Sequence, residues 1–194
     1  AGAKKAGAKI SRHPIADRAA ATRPEEVSVR VRAMHSELDA RYRDMIRDRA
    51  DRVHALGAGA VGYLHLPDME RFGYSEFWRR FASESRRDAL VVDFRGNVGG
   101  HISELILAKL AQRPLAWDVP RRGSPESYPS HAAGPVVALV DEHTGSDAEL
   151  AAAAFRKLGI GTVVGARTWG GLLTVGDGAT LVDGGEVSAP SRRV

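Results

Sequence analysis

The chain has 194 residues, 43% hydrophobic and 27% charged, which suits one well-buried soluble domain with an appendage. No apolar run approaches the ~20 residues that cross a bilayer, and the lack of cysteine excludes disulfides and thiolate metal sites. With no secretory-leader pattern either, a cytoplasmic protein with no membrane, metal or cofactor partner is the expectation.

The net charge of +4 raises a nucleic-acid reading, but the excess sits in residues 1–24, where Lys4, Lys5, Lys9, Arg12, Arg18 and Arg23 face only Asp17. Residues 1–26 keep no apolar period and read as a basic flexible arm or a truncated element. Nucleic-acid binding through that arm would show a steep salt dependence lost on deleting it. Over residues 41–52 arginines alternate with acids, the pattern of a solvated helix face, so no nucleic-acid partner is expected.

Val27-Ser-Val-Arg-Val-Arg32 alternates apolar and polar residues and reads as a half-exposed strand, the last of a domain lying mostly upstream. A helix is predicted over 36–56, with Ser36 as cap and Gly57 and Gly59 ending it. A strand over 60–66 stops at Pro67, and a helix over 76–85 carries an apolar side of Phe77, Trp78 and Phe81. A buried strand over 89–94 runs into the glycine-rich turn 95–100, followed by a helix over 101–111. Residues 114–135 form a long, proline-bearing, irregular link. Val136-Val-Ala-Leu-Val140 is a buried strand, 148–158 a helix and 161–165 another strand. A loop over 167–171 and a hairpin-like pair around 176–178 and 183–185 close the chain. Strand and helix alternate from 60 to 165, which predicts an α/β domain whose mostly parallel sheet is flanked by helices.

In such sheets ligand sites lie beyond the carboxyl ends of the strands, and two small-residue turns fall there. One holds Ser146, where a buried strand becomes a helix. Ser146 with Glu149 three residues on is a capping box, and the same position could present a hydroxyl beside free backbone N–H groups. The other turn carries Gly96, Gly99 and Gly100, which let a backbone come close and donate hydrogen bonds. Its spacing matches neither the dinucleotide fingerprint nor the phosphate-binding loop. An oxyanion hole is the alternative use, each donor there being worth ~3 kcal/mol to a transition state.

Five stretches together carry a resemblance: Gly62-Tyr-Leu-His-Leu-Pro-Asp-Met69, Val92-Asp-Phe-Arg-Gly-Asn-Val-Gly-Gly100, Pro120-Arg-Arg-Gly123, Glu142-His-Thr-Gly-Ser-Asp147 and Gly165-Ala-Arg-Thr-Trp-Gly-Gly171. In that order they resemble the core of the tricorn-type serine proteases, relatives of the C-terminal-processing peptidases. The resemblance implies a Clp-protease/crotonase-like fold over 57–194 with its C-terminal part missing. It implies that 27–56 is the end of a PDZ-like domain and a connecting helix. It makes Ser146 the nucleophile, the amides of Asp147 and Gly100 (or Gly99) the oxyanion hole, and Asp118 an acidic residue lining the primary specificity pocket. Peptide substrates with a basic residue before the scissile bond and a homo-oligomer, a ring-like hexamer, are implied with it.

The processing peptidases place a lysine base in a threonine-aromatic-glycine-lysine motif, where this chain reads Thr168, Trp169, Gly170, Gly171. The tricorn arrangement uses a histidine instead, with an acidic orienter, and the resemblance places both outside these residues. His131 beside Ser130, His35 beside Ser36, and His143 are the tempting internal bases, while His65 and His101 read as ordinary strand and helix-start residues. Two rivals share the fold: a non-catalytic binding or assembly module in which Ser146 is a cap, and a crotonase-like acyl-CoA enzyme.

Overall fold

A computed structural model describes residues 35–175 and 178–193, together with residues 28, 29, 31 and 33. The chain forms two units, Ala1–Arg43 and Asp44–Val194. Of the expected first strand, Val27, Arg30 and Arg32 lie outside the described residues, as does the expected arm over 1–26. In the first unit, Arg41 pairs with Glu37 one helical turn back, an exposed contact at 2.5 Å.

Helix α1 (Leu38–Leu56) runs into the second unit. There β1 (Val61–His65), β2 (Ala89–Asp93), β5 (Val136–Val140) and β6 (Gly161–Gly165) form one sheet in the order β1-β2-β5-β6, every pairing parallel. Parallel neighbours need long crossovers, which α2 (Arg71–Glu84), α3 (Ser103–Leu110) and α4 (Asp147–Lys157) supply. All four strands therefore end at one rim, and the turns after them meet there. The α/β sheet flanked by helices is as expected.

One core joins alternate strand residues, among them Leu64, Leu90, Val92, Val136 and Ala138, to Phe77 and Phe81 of α2, Ile106 and Leu110 of α3, and Ala148 and Phe155 of α4. The other strand residues, Tyr63, His65 and Asp93, point to the opposite face. Asp93 is fully buried there, accepting from Tyr63 Oη at 2.6 Å, from Arg95 Nε and Nη2 at 2.8 and 2.6 Å, and from Arg49 of α1 at 3.4 Å. Those donors hold the Asp93 carboxyl below its usual range against the opposing effect of burial.

Two elements differ from expectation. Helix α2 begins at Arg71, five residues before the expected 76, because Asp68 Oδ1 accepts from the N–H groups of Glu70 and Gly73 at 2.8 Å each and starts the turn early. The link over 114–135 contains an antiparallel ribbon, β3 (Ala116–Asp118) with β4 (Glu126–Tyr128), whose strands are too short to give a period. At the end of the chain β8 (Ala179–Thr180) pairs with β9 (Glu186–Val187) around Asp183, within an outer pair of β7 (Leu173–Val175) and β10 (Pro190–Arg193). Gly176 and Asp177 of the expected turn lie outside the described residues.

Candidate active site

Ser146 stands between β5 and α4 with φ 51° and ψ −122°. A helix cap ordinarily takes an extended backbone, and positive φ in a non-glycine residue costs about 1–3 kcal/mol. Ser146 and Ala58 alone among the described non-glycine residues have positive φ. The serine thus occupies the cap position in a strained backbone, on the sharp strand-to-helix turn that raises a hydroxyl above a sheet.

Buried groups hold that turn. Thr144, fully buried, donates from Oγ1 to the Phe94 carbonyl and accepts from the Asp141 N–H, both at 3.0 Å. Asp141 Oδ1 accepts from the N–H of Gly96 at 2.9 Å, and the Gly145 N–H donates to the Asn97 carbonyl at 2.8 Å. Burial opposes ionisation of Asp141, yet the donors Gly96, Thr144 and His143 bring its pKa below the usual value. The turn after β2 and the turn after β5 are stitched together along their length.

The stitching brings Gly99 against Ser146. A methyl group added at Gly99 would stand 2.6 Å from Ser146 Cβ and 3.0 Å from the Asp147 nitrogen. With bonds of about 1.5 Å, the Gly99 nitrogen lies within roughly 7 Å of the serine oxygen. Its N–H is engaged, however, donating to Asn97 Oδ1 at 2.9 Å. Asn97 is itself fully buried, and its Nδ2 donates to the Leu66 carbonyl at 2.9 Å. The next amide, that of Gly100, has no acceptor among the described residues, nor has the amide of Asp147, the first residue of α4. Gly100, at φ 147°, bridges to Met69, whose carbonyl would lie 1.9 Å from an added methyl, so only glycine fits. The Asp147 carboxylate turns away to accept from Ser103 N–H at 3.0 Å and from the Ser103 hydroxyl, capping α3.

Ser146, Gly99, Gly100 and Asp147 therefore share one corner. Asp118 lies on the exposed ribbon strand β3, opposite Glu126, with no hydrogen bond or ion pair to that corner. No histidine among the described residues hydrogen-bonds Ser146: His54 meets Glu84 at 2.8 Å, His65 meets the Arg95 carbonyl at 3.2 Å, and His131 meets Ser127 Oγ at 2.8 Å. Burial lowers the pKa of His65, with Asp93 opposing. Asn97 is a site residue that sequence reasoning missed; its only signal was its place between Gly96 and Gly99.

Residues 60–194 match peptidase family S41. Tricorn protease homolog 1 of Streptomyces coelicolor is 46% identical over 151 residues, 77% of this chain and 14% of that protein. The tricorn protease of Thermoplasma acidophilum is 39% identical over 151 residues, again 77% of this chain and 14% of its own length. The crystal structure of the tricorn protease superposes with a TM-score of 0.79 at 35% identity, covering 86% of this chain and 16% of that one. The chain spans about a seventh of the length of these curated relatives. Family match, sequence identity and superposition agree, and the chain belongs to peptidase family S41.

Proposed function

We propose that this chain supplies the nucleophilic half of a tricorn-like serine endopeptidase site. Ser146 Oγ attacks the scissile carbonyl of a bound peptide as a general base takes its proton. The amides of Gly100 and Asp147 donate to the oxyanion of the tetrahedral intermediate. Its collapse expels the amine, protonated by the same base, and leaves an acyl-enzyme that water hydrolyses. Gly99, its N–H engaged by Asn97, contributes the absence of a side chain against the serine. The strained Ser146 backbone beside two unengaged amides is the observation that carries this reading.

The general-base histidine and its acidic orienter belong, on this reading, to segments outside these residues. Asp118 lines the primary specificity pocket and selects peptides with a basic residue before the cut. The remaining organisation follows the same likeness: an arm over 1–26, the end of a PDZ-like domain and its connecting helix over 27–56, a Clp-protease/crotonase-like core over 57–194, and a cytoplasmic homo-oligomer, a hexamer.

The test is covalent labelling of the full-length protein with a fluorophosphonate, followed by peptide mapping. Label on Ser146, absent in Ser146→Ala, is expected, with peptide hydrolysis lost in the same variant. Full hydrolysis by Ser146→Ala would leave Ser146 a helix cap and the fold a binding module.

A further inference from the structure

Glu149 sits in the first turn of α4 and has a longer reach than a cap needs. Its side chain is buried, yet it accepts from the Ser146 N–H at 2.9 Å and the Gly171 N–H at 2.8 Å through Oε2, and from the Gly170 N–H at 2.6 Å through Oε1. The Thr168 side chain also favours the charged form of the carboxylate. An ionised carboxylate only accepts, so it alone among side chains of this size can face so many donors at once. The partial positive charge at the helix start favours the anion there. Burial works against ionisation, and the donors from Thr168, Gly170, Ser146 and Gly171 outweigh it, holding the pKa below the usual value.

We infer that Glu149 is a positioning residue that fastens the strained Ser146 backbone and the 168–171 loop into one rigid unit. This rests on the reading of Ser146 as nucleophile. The loop lies against the serine turn by two further contacts. Trp169 N–H donates to the Thr144 carbonyl at 3.0 Å, and the Trp169 ring would stand 3.0 Å from a methyl added at Gly145. A methyl at Gly171 would lie 2.1 Å from the same ring, so the loop folds over its own glycine. Position 171 therefore turns a backbone N–H toward Glu149, in the motif position where a related arrangement carries a lysine base. Through these donors the carboxylate steadies the backbone of the corner.

The experiment compares Glu149→Gln with wild type in the full-length protein. The amide keeps one acceptor and sets an NH2 group against N–H donors. The rate of fluorophosphonate labelling at Ser146 should fall about 100-fold, the scale of a small misplacement of a reacting group. Amide exchange at Gly170 and Gly171, read by mass spectrometry on the peptide that contains them, should quicken by about tenfold or more. Ala153→Gly weakens the same helix at an exposed position and should lower stability while leaving both readouts at wild-type values. Should Glu149→Gln fail to fold, Thr168→Val removes a hydroxyl that favours the charged carboxylate, with little change of shape, and should shift both readouts the same way by less. Exchange indistinguishable from wild type, or labelling no slower than in Ala153→Gly, overturns the inference. If wild-type Ser146 takes no label, the nucleophile reading falls, and the exchange at Gly170 and Gly171 decides the fastening role alone.

Discussion

At Gly99 a missing methyl group sets how near two chain segments come. Its φ of 107° and the 2.6 Å approach to Ser146 Cβ both forbid a side chain. Gly99→Ala should therefore cost about 1–3 kcal/mol of stability and, by displacing the serine, slow its labelling by roughly 100-fold. Urea unfolding and labelling kinetics measure the two effects separately. The titrating residues make a second prediction. Asp93, Asp141 and Glu149 have depressed pKa values, because hydrogen-bond donors outweigh the effect of burial, and His65 is depressed by burial itself. In each case the unfolded chain binds more protons, so stability is complete above the unfolded pKa and is lost as pH falls toward the folded one. The unfolding midpoint should hold steady between about pH 7 and 9, decline first below about 6.5 as His65 contributes, and decline again below about 4 as the carboxylates follow. His65→Gln should remove the first decline and leave the second.

Among the elements, the buried parallel strands were legible because each is short and mostly apolar, as at 89–92 and 136–140, with a turn or loop signal such as Gly96 or Pro135 close by. The corner holding Ser146, Gly99, Gly100 and Asp147 was legible too, since parallel strands bring their following turns to one rim. What the sequence hid were contacts made across distance. Glu149 announces a capping box three residues from Ser146, but nothing local announces Gly170, 21 residues on. Asn97 reaches back 31 residues to the Leu66 carbonyl. Such bonds have no period and no spacing. The early start of α2 was missed for a related reason: a methyl at Gly73 would lie 1.9 Å from the Asp68 carbonyl, so the glycine there serves a close packing inside the helix that no local pattern shows. The ribbon β3–β4 escaped because three-residue strands show no alternation to count.

For the molecule as a whole, the described histidines are engaged with Glu84, the Arg95 carbonyl and Ser127, or lie exposed as His35, His101 and His143 do. A polypeptide of only these 194 residues should accordingly hydrolyse short basic peptides poorly or not at all. Turnover that vanishes in Ser146→Ala would show that the base lies within them. In the full-length protein, Asp118→Asn should cut the preference for Lys or Arg over a neutral residue before the scissile bond by roughly tenfold, the effect of one lost charge contact, with hydrolysis of neutral peptides unchanged.

The clasp between Asp147 and Ser103 gives the fold a mechanical property of its own. On the proposed reading one residue offers its amide to the oxyanion, while its carboxylate holds the start of α3. Any tilt of α3 against α4 must then pull on the nitrogen beside Ser146, so the alignment of that N–H inherits the stiffness of the helix junction.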